Sequence, residues 1–197
     1  MSKTKKTTTF SILVALILIL SFTPLGFIPI PPLNPTTIHI PVIVGAIILG
    51  PLYGGALGAI FGLISLFRAT LQANFIFSPL VAVPGTSSGD WRAIIVAIVP
   101  RILIGIVAHY VYQLFKNHHK TAAYAIAGVA GSLTNTILVM NLIFLFFKAP
   151  YAKLIGKSVD ILYNAILGIV FTNGLFEAIC AGILTVLIVN IYQKIVK

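Results

Sequence analysis

Six apolar runs separated by proline, glycine and lysine constrain this chain more than any other feature: residues 10–27, 38–50, 52–71, 91–115, 122–147 and 161–191. A helix that crosses the hydrocarbon layer of a bilayer takes about 20 mostly apolar residues, range about 17–25. Five of the runs reach that length, and the second is short. Pro24, Pro29, Pro31, Pro32 and Pro35 exclude regular helix from 24 to 35, because proline lacks the N–H and its ring clashes with the preceding turn. Gly50-Pro51 breaks the chain between the second and third runs, with Pro51 suited to a first helical turn. Residues 72–91 hold Pro79, Pro84 and Gly85-Thr-Ser-Ser-Gly-Asp90, and read as an ordered loop. The last run would be about 46 Å long as a helix, more than the roughly 30 Å apolar layer. It is expected to bend or break near Thr172-Asn173-Gly174, or to extend a capping portion over the bundle.

Only 8% of the 197 residues are charged and 59% are apolar, whereas a soluble domain carries about 25% charge. A soluble enzyme is excluded. The expected fold is an all-α membrane protein, a six-transmembrane-helix bundle. One transmembrane domain covers 1–197, and residues 1–9 form a cytoplasmic basic tail. Six crossings put Lys3, Lys5, Lys6, Lys116, Lys120, Lys194 and Lys197 on one side with no acid beside them. The other side holds Asp90 with Arg92, then Lys148, Lys153, Lys157 and Asp160. The lysine bias predicts that both termini are cytoplasmic, in a multi-pass protein of the cell membrane. It also accounts for the net charge of +10 through topology and anionic headgroups, without nucleic acid. A five-span reading, without the short second run, stays open. Cys180 stands alone and forms no internal disulfide.

Polar residues inside apolar runs are costly unless partnered, and an intramembrane charge is by default a functional hypothesis. Arg101 follows Pro100 in the fourth run, Asn135 and Asn141 lie in the fifth, and Asn164, Asn173 and Glu177 in the sixth. Asn173 and Glu177 share a helix face at i+4. Two readings coexist. In one, an Arg101–Glu177 ion pair staples two helices. In the other, the outer half of the bundle holds a polar solute, with Arg101 or Arg92 meeting a carboxylate and the asparagines its amide or hydroxyl groups. Arg68 either snorkels to headgroups or points inward to an anionic solute. His39, at the start of the second helix, makes either a loop hydrogen bond or a ligand contact. Gly54, Gly58 and Gly62 repeat at i+4 and predict close packing against another helix. Ser11-xxx-Ala15 is a second pair of small residues.

No catalytic set and no metal-ligand set is evident, and no cofactor is implied. Three acids in the whole chain leave no carboxylate dyad within a span. Tyr151-Ala-Lys-Leu-Ile-Gly-Lys-Ser158 ends like a phosphate loop but has Tyr where the first Gly belongs. If the chain moves a solute uphill, the energy must come from a partner protein or an ion gradient.

The stretch Thr23-PLGFIPIPPLNPTTIHIPVIVGAIILGPLYGGALGAIFGLISL-Phe67 resembles the substrate-binding S components of energy-coupling factor (ECF) vitamin transporters. So do Val99-PRILIGIVA-His109, Gly131-SLTNTILV-Met140 and Thr172-NGLFEAI-Cys180. Within that family the chain is most similar to the S components assigned to pantothenate. The resemblance implies six helices with cytoplasmic termini and an outward pocket covered by the 1–2, 3–4 and 5–6 loops. It implies a vitamin substrate, and docking to a transmembrane coupling subunit that carries two cytoplasmic ATPases. The S component would topple in the membrane to bring its pocket inward. Family members commonly use an Ala-xxx-Ala pattern on the first helix for docking. Here Ser11 and Ala15 are the match, with Ser in place of the first Ala. The expected substrate-binding residues are Arg92, Arg101, Asn135, Asn141, Asn173, Glu177 and His39. Riboflavin, thiamine or pyridoxine stay open as substrates, with Phe27, Phe75, Phe77, Trp91 and Tyr163 available to a ring, and so does a self-contained secondary carrier of a small anion.

Overall fold

The computed structural model describes residues 1–26 and 36–196. Phe27, Pro29, Pro31, Pro32, Pro35 and Lys197 lie outside the described residues, and with them most of the loop expected to cover the pocket between the first two helices. Among the described residues the regular structure is helical: α1 (Lys3–Phe22), α2 (Ile40–Leu49), α3 (Pro51–Leu71), α4 (Arg92–Phe115), α5 (Lys120–Leu154), α6 (Val159–Ile169) and α7 (Leu175–Val196). Helices α1, α3, α4 and α5 are each long and apolar enough to cross a membrane, and so is the continuous stretch from Val159 to Ile195.

The elements follow the local chemistry. The Ser2 side chain accepts a hydrogen bond from the Lys5 N–H and caps α1. The helix therefore begins within the basic tail, before the apolar run does. Gly50, at φ 104°, ends α2 in a conformation open to glycine, and Pro51 starts α3. Helix α5 runs beyond the expected end of its apolar run at Phe147 and reaches Leu154. Phe147 has non-helical angles (φ −129°, ψ 23°) and Pro150 lies just beyond it. Proline cannot donate to the carbonyl four residues back, so the helix breaks its regularity at Phe147 and then continues. The interruption expected near Thr172-Asn173-Gly174 is a π-helical turn, Val170–Gly174, between α6 and α7.

Helix α2 has 10 residues, about 15 Å of helix, and all but Ile48 are buried. It is an internal wedge beneath α1, α3, α4 and α7. The Gly54, Gly58 and Gly62 stripe meets α4: a methyl on Gly54 would strike Ala46 and approach Gly105, one on Gly58 the Arg101 backbone, and one on Gly62 the Ala97 carbonyl. Absence of side chains lets the two backbones touch, which makes α3–α4 a tight seam. Gly128 does the same for α5 against Ala181 and Gly182 of α7.

The two ends of the bundle differ. At one end, a Thr9 Oγ1–Tyr192 Oη contact of 3.1 Å ties α1 to α7. There Gln193 Nε2 also donates to Tyr124 Oη at 2.7 Å, and Tyr112 stacks on Tyr124. The starts of α1 and α5 and the end of α7 thus gather there with their lysines. At the other end are Phe22 against Phe67, Arg68 in the last turn of α3, and the loop from 72 to 91.

Candidate substrate site

Pro100 sits inside α4 and cannot donate to the carbonyl of Val96. The neighbouring side chain takes over, with Arg101 Nη1 donating to Val96 O at 2.7 Å. This bond turns the guanidinium back along its own helix. It lies between two rings, with Cζ 5.5 Å from the Phe61 centroid and 4.9 Å from that of Phe77, a geometry that suits a desolvated cation. Arg101 is only 7% exposed.

Opposite, Glu177 of α7 is 8% exposed. Its Oε1 accepts the Thr36 N–H at 2.7 Å and its Oε2 accepts the Thr136 hydroxyl at 3.3 Å. The carboxylate thereby ties α7 to α5 and to the segment entering α2. Among the described residues no Arg101–Glu177 ion pair forms, whereas Arg92 pairs with Asp90. Arg101 and Glu177 instead line one cavity of about 280 Å³.

Seven parts of the chain build that cavity, α4 among them through Arg101. Helix α3 supplies Phe61, Ser65, Arg68 and Ala69, with Gln72 just past its end; α5 supplies Asn135, Thr136, Val139 and Met140; the continuous stretch from Val159 to Ile195 supplies Ile169 from the end of α6, Asn173 from the π turn and Glu177 from α7. Ser21 closes it from α1, and Thr36 and Ile38 from the approach to α2. Asn74 and Phe77 come from the loop after α3. Asn173 belongs to the π turn, whose extra residue changes the side-chain register in that turn. Among the described residues Arg101 Nε, Asn135 Oδ1, Asn173 Oδ1 and Ser21 Oγ are buried without a hydrogen-bond partner. Buried polar atoms are normally satisfied. A donor and three polar oxygens around one enclosure leave hydrogen-bonding capacity for a polar solute.

Of the sequence-derived set, the structure therefore brings together Arg101, Asn135, Asn173 and Glu177. It places the others elsewhere. Arg92 is paired to Asp90, Nε to Oδ2 at 2.8 Å, and lies 5.8 Å from the ring centroids of Phe146 and Phe147. It lines a separate cavity of about 220 Å³. The Arg92 side chain holds the Asp90 carboxyl below the usual carboxylate range. Asn141 is exposed on α5, and its Nδ2 donates to Ile137 O at 2.8 Å. His39 is buried, with Nδ1 3.5 Å from the Thr36 hydroxyl, and is absent from the cavity lining. Ser11 and Ala15 are exposed on the outer face of α1. Missing from the sequence-derived set are Ser65 and Gln72, which flank Arg68, and Met140. Their signal was present: Phe61, Ser65, Arg68 and Gln72 fall at steps of four, three and four, one stripe of a helix.

The model of the ECF transporter, substrate-specific component family matches residues 5–189. The chain belongs to that family. Among curated proteins, this S component is 41% identical to the "Pantothenic acid transporter PanT" of Lactococcus lactis subsp. cremoris, over 83% of this chain and 80% of that protein. It is 28% identical to the "Pantothenate transporter PanT" of Leuconostoc mesenteroides subsp. mesenteroides, over 100% of this chain and 96% of that one. It is a multi-pass membrane protein and the substrate-specific part of a vitamin uptake system.

Proposed function

We propose that this S component captures pantothenate at the outer face of the cell membrane. The observation that carries the reading is the cavity lined by Arg101, Asn135 and Asn173, whose Nε, Oδ1 and Oδ1 atoms have no hydrogen-bond partner among the described residues. Pantothenate has one carboxylate, one amide and two hydroxyls. The guanidinium suits the carboxylate, and the asparagine oxygens accept from amide N–H or hydroxyl. Glu177, anchored by Thr36 and Thr136, shapes the wall and offsets the charge of Arg101. The names of the two relatives support the vitamin.

Six crossings, with α2 as a shortened one, keep the lysine-bearing starts of α1 and α5 and the end of α7 on a common side. That agrees with the Thr9–Tyr192 and Gln193–Tyr124 contacts, and lysine bias makes this side cytoplasmic. Delivery proceeds through a transmembrane coupling subunit with two cytoplasmic ATPases, met by the exposed Ser11–Ala15 face of α1. The bilayer covers the remaining apolar surface.

The test is an equilibrium titration of purified protein with labelled pantothenate, with unlabelled riboflavin, thiamine and pyridoxine as competitors. Saturable one-to-one binding displaced only by unlabelled pantothenate is expected. No binding by demonstrably folded protein withdraws the vitamin.

A further inference from the structure

The cavity wall carries three charged side chains, Arg68, Arg101 and Glu177. Segment 27–35, outside the described residues, contains no Asp, Glu, Lys or Arg, so it adds nothing to that balance. Arg101 and Glu177 are both buried and opposite in sign. Their fields largely cancel for a solute approaching from outside. The three side chains together leave the site with one net positive charge.

Arg68 also occupies a distinct position. It stands in the last turn of α3, at the end of the bundle away from the gathered lysines. Phe61, which packs on Arg101, lies seven residues earlier on the same helix face, roughly 10 Å along the axis. The cavity thus has one cation at its inner end and another toward its outer end. Arg68 and Gln72 line a second space as well, with Phe22, Thr23 and Pro24. They are the described residues common to both spaces. A solute moving between the two passes these side chains.

We infer that Arg68 is the residue that selects for an anion and receives its carboxylate first, before Arg101 and the asparagines hold the solute at the inner end. The inference rests on the reading of the cavity as a site for a carboxylate solute. A cation at a mouth acts mainly on association, because it raises the local concentration of the oppositely charged ligand. Groups that hold the bound solute act mainly on dissociation.

The experiment measures association and dissociation rates of labelled pantothenate on the purified full chain at several ionic strengths. It compares wild type, R68Q and R68K, and adds the neutral analogue in which –CH2OH replaces the carboxylate. R68Q is expected to lower the association rate by about tenfold and to flatten its salt dependence, with dissociation changed much less. R68K restores both. The neutral analogue binds wild type and R68Q alike. Wild-type binding with an unchanged rate and salt dependence in R68Q overturns the inference and leaves the vitamin standing. So does an R68Q loss shared equally by the neutral analogue, which would mark Arg68 as structural. No binding of pantothenate to folded wild type removes the vitamin assignment and this inference together.

Discussion

Arg101 is a cation held inside an apolar bundle by one carbonyl, two rings and a carboxylate across a cavity. Truncating one member of a buried charge arrangement leaves the others uncompensated, at a cost of about 2–5 kcal/mol. R101A is therefore expected to weaken pantothenate binding by more than about thirtyfold. Titration of folded R101A protein checks this, and unchanged affinity would remove Arg101 from the site. Asn135→Leu removes an acceptor and adds apolar bulk to the same wall. About tenfold weaker binding is expected, since a neutral hydrogen bond contributes roughly 1 kcal/mol and an unsatisfied partner adds to the loss. Asp90 behaves differently, because its carboxyl is held low by Arg92 at the surface. A depressed carboxylate pKa gives stability that is complete above the unfolded value, near 3.9, and is lost as pH falls through the folded one. Any difference in melting temperature between wild type and D90N should stay constant from about pH 5 to 8 and shrink only below about pH 4.

Single helices carry two separate tasks. The α3–α4 seam depends on backbone contact at Gly54, Gly58 and Gly105, where an added methyl meets backbone atoms of the opposing helix. Overpacking of such a contact costs about 1–3 kcal/mol. G105A is expected to lower the thermal stability of the purified protein measurably. G55A is not, because its added methyl would find its nearest neighbour, the Ile102 side chain, at 3.8 Å. Equal melting temperatures for the two variants would count against the seam. Helix α1 is the contrasting case. Only Leu13, Ile17 and Ser21 are buried along it, while Ser11, Ala15, Ile12, Leu16 and Ile19 face outward. Leucine at both Ser11 and Ala15 should leave pantothenate binding by the isolated chain intact while abolishing uptake in cells with the coupling and ATPase subunits. Loss of binding as well would show that the α1 face serves the fold and not docking.

At the scale of the whole molecule, topology rests on whether the 10-residue helix α2 counts as a crossing. If it does, the turn at 116–120 lies on the side of the N-terminus and the loop at 72–91 on the opposite side; without it the two exchange. A chain with Cys180 replaced and one new cysteine at Ser87 should react with an impermeant thiol reagent added outside intact cells. The same chain carrying its cysteine at His118 should not. The reverse pattern, or labelling of both, would overturn the proposed orientation.

Much of this architecture was legible because bilayer thickness ties apolar run length to helix length, and because proline and glycine mark breaks whatever surrounds them. The α3 and α4 spans, the Gly50-Pro51 break, the glycine seam and the interruption at Thr172-Asn173-Gly174 all follow from that local chemistry. The continuation of α5 past Phe147 did not, because packing carries a helix across an irregular turn that composition reads as an end. The site divides the same way. Residue type alone nominated Arg92 and Arg101, Asn135 and Asn141, as equivalents. Only the tertiary structure separates them: Pro100 frees a carbonyl that turns Arg101 inward, Asp90 captures Arg92, and the Ile137 carbonyl takes Asn141 on the outer face of α5. A sequence states how much polar capacity a membrane chain carries. Where that capacity meets an empty space depends on which partners the fold has already supplied.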